Sequence, residues 1–358
     1  MLDHPSSINS LAWHPKVPSL LVGGSFDGEV LLWDLASATP DEPVVSPISE
    51  LASKDPITAL QWVFDSTLSA YVIASVSTDG RLLFWDPRNG LKWPLRGFLL
   101  RGRGKGGTGN KAYPAAHGGT CLAVSGSTDA KPKWVLVGQQ GGGILRGQTS
   151  KLFSGAAISS EDLIKASQVS LPQFRGTDDA SFAFAPHVGP VTALHFCPFH
   201  RSLFLSAGLD GGVRLFHVLE SRPLLEWEPA STYSEGVCGA TSAQFSPTRP
   251  TVFAVGLSDG RVLVYDIAHS TSVHAAELKS STSSSSLSSG KRTNDLKPAP
   301  ITGLSFNGKQ RDLIAAVDSR GRVLVWKLDW SLTARRAGDL DVLDALTKRV
   351  TAEQSRDD

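Results

Sequence analysis

A repeat constrains this chain more than any other feature. Five times, a tight turn whose second residue is glycine is followed by an aromatic residue six positions after the turn's first residue. Unit A runs Ile8, Leu11 and Trp13, then Asp27-Gly28, then Trp33-Asp34. Unit B runs Ile57, Leu60 and Trp62, then Asp79-Gly80, then Trp85-Asp86. Unit D runs Val191, Leu194 and Phe196, then Asp210-Gly211, then Phe216. Unit E runs Ala240, Ala243 and Phe245, then Asp259-Gly260, then Tyr265-Asp266. Unit F runs Ile301, Leu304 and Phe306, then Arg320-Gly321, then Trp326. Asp-Gly between two apolar runs is a hairpin signal, because glycine accepts the positive φ that a tight turn needs. A sixth unit, C, is degenerate. Cys121, Val124 and Trp134 to Val137 read as strands, and Gln140-Gly141-Gly142 stands where the turn should be. Its closing aromatic is missing, with Arg146 or Gly147 near that place.

Alternation of period two inside each unit means half-buried strands. A fourth, outer strand is expected in each linker: 44–51, 95–100, 181–185, 224–228 and 273–278. For unit F it has to come from 329–335. Four strands per unit, repeated around an axis, make a β-propeller, since one sheet cannot bury both its faces and neighbours must stack on it. The expected fold is therefore all-β, a propeller with six recognisable blades and a short C-terminal helix. The propeller covers 1–335, with units near 5–35, 56–86, 117–147, 187–218, 236–267 and 300–328. Insertions fall at 101–111, 148–180 and 280–297, and 336–358 forms the C-terminal helix and tail.

Composition narrows the function classes. The chain has 358 residues, 41% hydrophobic and 19% charged, which is a globular composition. A formal net charge of +1 creates no global field for nucleic acid or membrane surfaces. No apolar run approaches the ~18 residues of a membrane span, and the first residues lack the pattern of a secretory signal. The three cysteines, Cys121, Cys197 and Cys238, are far apart and odd in number, which argues against a disulfide framework. Nine tryptophans and 34 glycines fit strand-ending aromatics and turns.

The insertions carry weak signals. Residues 101–111 are basic and glycine-rich, and Gly102, Gly104 and Gly107 match G-x-G-x-x-G. No helical pattern follows, and Lys105 precedes Gly106 instead of serine or threonine, so both phosphate-binding patterns fail. A solvated loop explains the stretch better, with a contact to RNA or an acidic partner as the sharper alternative. Ser159-Ser160-Glu161-Asp162 before Leu163-Ile164 could cap a short helix. Residues 280–293 are a serine-rich, low-complexity linker. From Asp339 to Val350, Leu340, Leu343, Leu346 and Val350 form one apolar stripe at helical spacing. Packing on the last blade explains that stripe better than a free partner-binding helix, because helices this short are marginal alone.

No catalytic constellation is present. His195-x-Cys197-x-x-His200 is the densest group of possible metal ligands, but a tetrahedral site would need a further ligand or a second pair, and neither is nearby. The expectation is no metal, no cofactor and no catalytic residue. Asp27, Gly28, Asp79, Gly80, Asp210, Gly211, Asp259 and Gly260 follow the repeat and are explained by turn chemistry. His4, His117 and His187 each lie four residues before the first apolar position of a unit. Such a histidine, a strand hydroxyl, the turn aspartate and the closing aromatic can form a buried hydrogen-bond chain within one blade. The members are His187, Ser206 and Asp210 in unit D, where Phe216 cannot donate. In unit B they are Ser75, Asp79 and Trp85, without a histidine. In unit A they are His4, Asp27 and Trp33, with Gly23 at the hydroxyl position. These residues are expected to be structural, each polar atom needing a partner once buried.

Glycine turns followed by tryptophan, often Trp-Asp, resemble WD repeats across nearly the whole chain. Unit spacing exceeds the ~40–45 residues usual for WD repeats, and the excess lies in the linkers. Finer wording is similar to one family. His14-Pro15 with Pro18-Ser19 and GGSFDGEVLLWDL, APHVGPVTALHFCPFHRSLFLSAGLDGGVRLF, FSPTRPTVFAVGLSDGRVLVYDI and FNGKQRDLIAAVDSRGRVLVWKL, together with Asp339-Leu340-Asp341-Val342-Leu343, resemble dynein intermediate chains. The likeness is greatest to the type found in cytoplasmic dynein 2, the retrograde motor of intraflagellar transport.

That resemblance implies a non-catalytic scaffold that grips a dynein heavy chain alongside other dynein 2 subunits. It also implies residence in the cytoplasm, the cytoskeleton, and the cilium or flagellum and its base. The family binds light chains through an N-terminal extension, expected to be absent here because unit A begins at Ile8. A family ring has seven blades, so the first is expected to be missing and two sheet faces bare, as in a truncated gene product. Alternatives are another WD-repeat scaffold, an axonemal dynein intermediate chain or a ubiquitin-ligase adaptor. A propeller enzyme would need acids or metal ligands converging on the channel, and none stand out.

Overall fold

The structure is a computed structural model that describes residues 4–100, 118–126, 133–154, 158, 171–174, 182–229, 238–279 and 299–357. The basic loop 101–111, His117, the segment 159–164 and the serine run 280–293 lie outside the described residues. The chain divides into two compact halves, Met1–Pro186 and His187–Asp358.

Each half carries three antiparallel sheets whose strands follow one another in chain order. In the first half, unit A forms β1 (Ile8–Trp13), β2 (Leu20–Ser25), β3 (Val30–Asp34) and β4 (Val44–Val45). Unit B forms β5 (Ile57–Asp65), β6 (Ala70–Ser77), β7 (Arg81–Trp85) and β8 (Pro94–Leu99). Unit C forms β9 (Gly119–Val124), β10 (Trp134–Gln139) and β11 (Ile144–Gln148), followed by helix α1 (Thr149–Ser154). In the second half, unit D forms β12 (Val191–Phe196), β13 (Leu203–Gly208), β14 (Val213–His217) and β15 (Leu225–Trp227). Unit E forms β16 (Ala240–Phe245), β17 (Val252–Leu257), β18 (Val262–Asp266) and β19 (Ala276–Leu278). Unit F forms β20 (Ile301–Phe306), β21 (Leu313–Asp318) and β22 (Val323–Lys327). These are six blades of a β-propeller.

The glycine turns set the hairpins. In unit D, Gly211 N donates to Gly208 O and Gly208 N to Gly212 O, both at 3.1 Å. Gly211 has φ +83°, the left-handed conformation that closes a short loop with a bulge at little cost only for glycine. The resulting register places each closing aromatic opposite a second-strand residue: Leu21↔Trp33, Ile73↔Trp85, Phe204↔Phe216, Phe253↔Tyr265 and Ile314↔Trp326. In units A, B, D, E and F the first strand shifts register just after its first residue, as at Val191/Ala193. One bulge per blade bends that strand the same way each time.

The cores lie between neighbouring sheets. In the first half, Val22, Val30 and Leu32 of unit A pack with Ile57, Trp62 and Trp85 of unit B. Phe84 and Val76 of unit B pack with Val124, Val135 and Val137 of unit C. In the second half, Leu205 and Leu215 of unit D pack with Phe245 and Phe253 of unit E. Val262 and Val264 of unit E pack with Ile301, Phe306 and Ile314 of unit F.

The outer strands depart from expectation. Unit A keeps only Val44–Val45 of the expected 44–51, because Leu51 and Ala52 turn into the core instead of continuing along the edge. In unit C, residues 182–185 form no strand. In unit F, the segment expected to pair as a fourth strand contains helix α2 (Trp330–Thr333), which buries Leu332 with Leu328 under blades E and F. The tail forms helix α3 (Asp339–Asp357), with Asp339 and Asp341 in its first turn, where carboxylates favour the helix dipole. Leu343 is fully buried in the core of units D and E, with Val342 and Leu346 packed beside it. Leu340, read as part of the stripe, is exposed instead, and Val342 takes its place. Among the described residues no helix is long and apolar enough to cross a membrane.

Candidate functional site

The three polar members expected in unit D lie together. His187 Nδ1 is 3.0 Å from Asp210 Oδ1, and His187 Nε2 is 2.9 Å from Ser206 Oγ. Asp210 also accepts the backbone N–H groups of Val188 (2.8 Å) and Gly212 (3.1 Å). The turn is thereby tied to the strand that enters the blade. Phe216 takes no part and stacks on Phe204, ring centroids 5.4 Å apart. Burial lowers the His187 pKa, and Asp210 only partly offsets it. Burial opposes ionisation of Asp210, but the donors from Val188, His187 and Gly212 outweigh it and hold its carboxyl below the usual range. The imidazole bridges a hydroxyl and a carboxylate, so both Ser206 and Asp210 are committed to it.

Units A, B and E solve the same problem differently. In unit B, Trp85 Nε1 donates to Ser75 Oγ at 3.0 Å. Asp79 instead accepts Ser77 Oγ and the Lys54 N–H, and pairs with Arg81 at 3.2 Å. In unit A, His4 is not joined to Asp27; its Nε2 lies 3.6 Å from Glu29, and Nδ1 takes the Ser6 N–H. Trp33 Nε1 is buried without a hydrogen-bond partner, because Gly23 supplies no hydroxyl. A Cβ on Gly23 would lie 2.7 Å from the Trp33 ring, so the indole has taken that space. In unit E, Asp259 pairs with Arg261 at 2.6 Å, and Tyr265 stacks on Phe253 with centroids 5.0 Å apart. His117 lies outside the described residues.

Unit C shows what replaces a missing closing aromatic. Gly147 pairs with Val135, the place that Phe216 holds opposite Phe204 in unit D. A Cβ there would sit 2.7 Å from the Phe174 ring. Phe174 comes from the 148–180 insertion and is 2% exposed. Its N–H bonds Leu99 O at 2.8 Å, so the insertion runs beside β8 and delivers a ring from outside the blade. The neighbouring Arg146 lies under the Phe182 ring at 3.5 Å, with Trp134 5.5 Å away on the same guanidinium. Gly147 at an aromatic position was the available sequence signal that something bulky arrives from elsewhere.

The His195, Cys197 and His200 group is dispersed by its neighbours. His195 Nδ1 accepts the Phe245 N–H at 3.3 Å, across from unit D to unit E. The Ser202 N–H points at His200 Nδ1. Burial pushes the Cys197 thiol up to about 11, so it stays protonated. Among the described residues no group of three or more potential ligands could hold a metal ion.

Burial takes His195 down to about 4 from its ordinary 6.5. The unfolded chain therefore binds this proton more tightly than the folded one. The stability is present above pH 6.5 and lost as pH falls toward 4, by about 3 kcal/mol for a gap of that size. The urea midpoint is expected to fall between pH 7 and pH 4.5. His195→Asn, which keeps an acceptor for the Phe245 N–H, should flatten that slope; an unchanged slope would locate the pH dependence elsewhere.

Two sheet faces carry exposed apolar side chains. In unit A, Leu11 and Trp13 are 59% and 57% exposed, whereas Trp62, at the position of Trp13 in unit B, is 6% exposed. In unit F, Val323 and Val325 are 65% and 60% exposed, whereas their counterparts Val262 and Val264 in unit E are fully buried. Exposed apolar patches of this kind are features that mark interaction surfaces in other proteins.

Comparison with known proteins agrees with the blade pattern. The model of the WD domain, G-beta repeat, matches residues 1–34, 45–86 and 180–217, which hold units A, B and D. Human cytoplasmic dynein 2 intermediate chain 2 is 31% identical over 360 residues, covering 98% of this chain and 60% of that protein. The 78 kDa intermediate chain of the Chlamydomonas reinhardtii flagellar outer arm is 26% identical, covering 91% of this chain and 41% of that one. The Drosophila melanogaster cytoplasmic dynein 1 intermediate chain is 23% identical over 76% of this chain. The chain belongs to the WD-repeat dynein intermediate chains. It spans about 60% of the length of the dynein 2 relatives that it matches. Units E and F, outside the matched residues, keep the same register between second and third strands as the matched units.

Proposed function

We propose that the chain is a non-catalytic scaffold subunit of a cytoplasmic dynein 2 motor. In this reading it binds the dynein heavy chain, works with the other dynein 2 subunits and supports retrograde intraflagellar transport and cilium assembly. The observation that carries the reading is the 31% identity to a dynein 2 intermediate chain sustained over 98% of the chain. The blades support it: their buried polar groups are spent on holding turns, which leaves rims and bare faces for protein contacts. Its place is the cytoskeleton, and the cilium or flagellum and its base. An axonemal dynein arm is the second reading, favoured by the likeness to the flagellar outer-arm chain over 91% of this chain.

Deletion in a ciliated cell separates the two. Loss of the dynein 2 scaffold is expected to stall retrograde particles and swell ciliary tips while axonemal arms remain in place. Missing outer arms with normal retrograde velocity would favour the axonemal reading and reject the first.

A further inference from the structure

The corner between first and second strands carries the same cap in units A, B, E and F. One side chain accepts two backbone N–H groups, from two and three residues further on. His14 Nδ1 takes those of Lys16 (3.0 Å) and Val17 (2.9 Å), and Asp65 Oδ1 those of Thr67 (2.7 Å) and Leu68 (3.4 Å). Ser246 Oγ takes those of Thr248 (3.3 Å) and Arg249 (3.2 Å), and Asn307 Oδ1 those of Lys309 (2.8 Å) and Gln310 (3.0 Å). The residue after this position differs. It is Pro15, Pro198 and Pro247 in units A, D and E, Ser66 in unit B and Gly308 in unit F. It is exposed in all five, so water reaches it whatever packs beside the blade.

Unit F therefore sets a carboxamide beside a peptide N–H that proline lacks. The bonds to Lys309 and Gln310 fold the Asn307 side chain over Gly308 and polarise its carbonyl. Donors placed in this way stabilise the charge that grows on Oδ1 when a nucleophile adds to Cγ. The Gly308 N–H donates to no described residue, so no hydrogen bond holds its proton. A Cβ on Gly308 would meet nothing within 4 Å, so no other described segment crowds the approach. The chain has one other Asn-Gly pair, Asn89-Gly90. There the Gly90 N–H is spent on Pro87 O at 3.2 Å, and Asn89 closes the one-turn helix Pro87–Asn89.

We propose that Asn307-Gly308 is a site of spontaneous deamidation that edits the corner of blade F. The Gly308 nitrogen gives its proton to solvent and bonds to Asn307 Cγ. The Cγ–Nδ2 bond breaks, Nδ2 takes a proton, and ammonia leaves a succinimide. Water then opens the ring at one of its two carbonyls. Opening at the main-chain carbonyl gives isoaspartate, which routes the backbone through Cβ and adds a methylene to it. Opening at the peptide link to Cγ restores the normal backbone as aspartate. Aspartate keeps the cap, as Asp65 does in unit B. Isoaspartate breaks it, and with it the closure of the loop by Asn307 N on Leu313 O at 3.0 Å.

The test incubates the purified, folded chain in heavy-oxygen water at mildly alkaline pH and follows both Asn-Gly peptides by mass spectrometry. Asn307 should convert at least about 5-fold faster than Asn89, the rate equivalent of the backbone hydrogen bond that Gly90 must give up. An isoaspartate methyltransferase should label the product at position 307. Gly308→Ala, for which there is room, should slow conversion several-fold by crowding the nitrogen, and Gly308→Pro should stop it. Should Gly308→Pro fail to fold, Gly308→Ala still decides. Asn307→Asp should melt with the parent chain, and the isoaspartate fraction should melt lower.

Conversion at Asn307 no faster than at Asn89, or an unchanged rate in Gly308→Ala, would overturn the proposal. Equal melting of the aspartate and isoaspartate forms would overturn the effect on the corner.

Discussion

Replacing Arg249 with alanine is expected to lower the unfolding free energy by about 3–5 kcal/mol, the cost of breaking a buried ion pair from one side. Arg249 is fully buried, and its guanidinium lies 2.8 Å from Asp266 and 3.3 Å from Asp339. It also donates to the Ser331 carbonyl. These partners come from β18, from the start of α3 and from α2, so one side chain joins the C-terminal helices to blade E. Asp266 keeps Thr251 Oγ1 (2.8 Å) and the Ala268 N–H as donors, and Asp339 keeps the Arg336 N–H. Removing the arginine leaves two carboxylates out of water with only these neutral donors. Urea unfolding measures the loss, and limited proteolysis should show cleavage within 334–338 as α3 detaches. Asp339→Asn keeps the shape and an acceptor, and should cost only about 1–2 kcal/mol. A loss below 1 kcal/mol for Arg249→Ala would mean that the helices are held by Leu343 and its neighbours alone.

Phe174→Ala is expected to cost about 3–5 kcal/mol, the range for truncating a buried phenylalanine. Its ring packs against Phe98 edge-to-face, centroids 6.1 Å apart, and fills the space above Gly147. Leu152 Cδ1 borders the same space, 3.4 Å from a Cβ built on Gly147, while the third strand itself has only glycine there. The double variant Phe174→Ala with Gly147→Phe supplies the ring from within the strand. It should recover part of the loss, and the coupling of the two sites, measured by a double-mutant cycle, is the decisive number. Additive effects would show that the two positions do not share one space.

Much of this fold was legible because the repeat writes the same local chemistry into each hairpin. Glycine with positive φ closes the turn, and a fixed register brings the aromatic onto the second strand. Even degenerate unit C kept enough alternation to show its strands. The outer strands were harder to bound, since β15 and β19 are each three residues long and pair along one edge only. A short edge strand owes its existence to the strand beside it, not to its own pattern. The polar chain was readable in unit D, where His187, Ser206 and Asp210 meet. In unit A the same spacing led to Asp27, yet His4 turned to Glu29, a nearer acceptor on the same turn. Phe174 and Arg249 were beyond local pattern, because Phe174 comes from outside the blade that it completes, and Arg249 of blade E holds helices 82 and 90 residues further along the chain. The stripe on α3 was read one residue out at its start: Asp339, held by Arg249, is buried where Leu340 was expected, Leu343 is buried with Val342 half-buried beside it, and Leu340 is exposed.

The scaffold reading meets its most direct test in solution. The purified chain is mixed with the tail segment of a cytoplasmic dynein 2 heavy chain and separated by size-exclusion chromatography with light scattering. A stoichiometric complex, formed with the dynein 2 tail and not with an axonemal heavy-chain tail, is the expected result. Two separate peaks with both tails, from chain that melts cooperatively and is therefore folded, would contradict it.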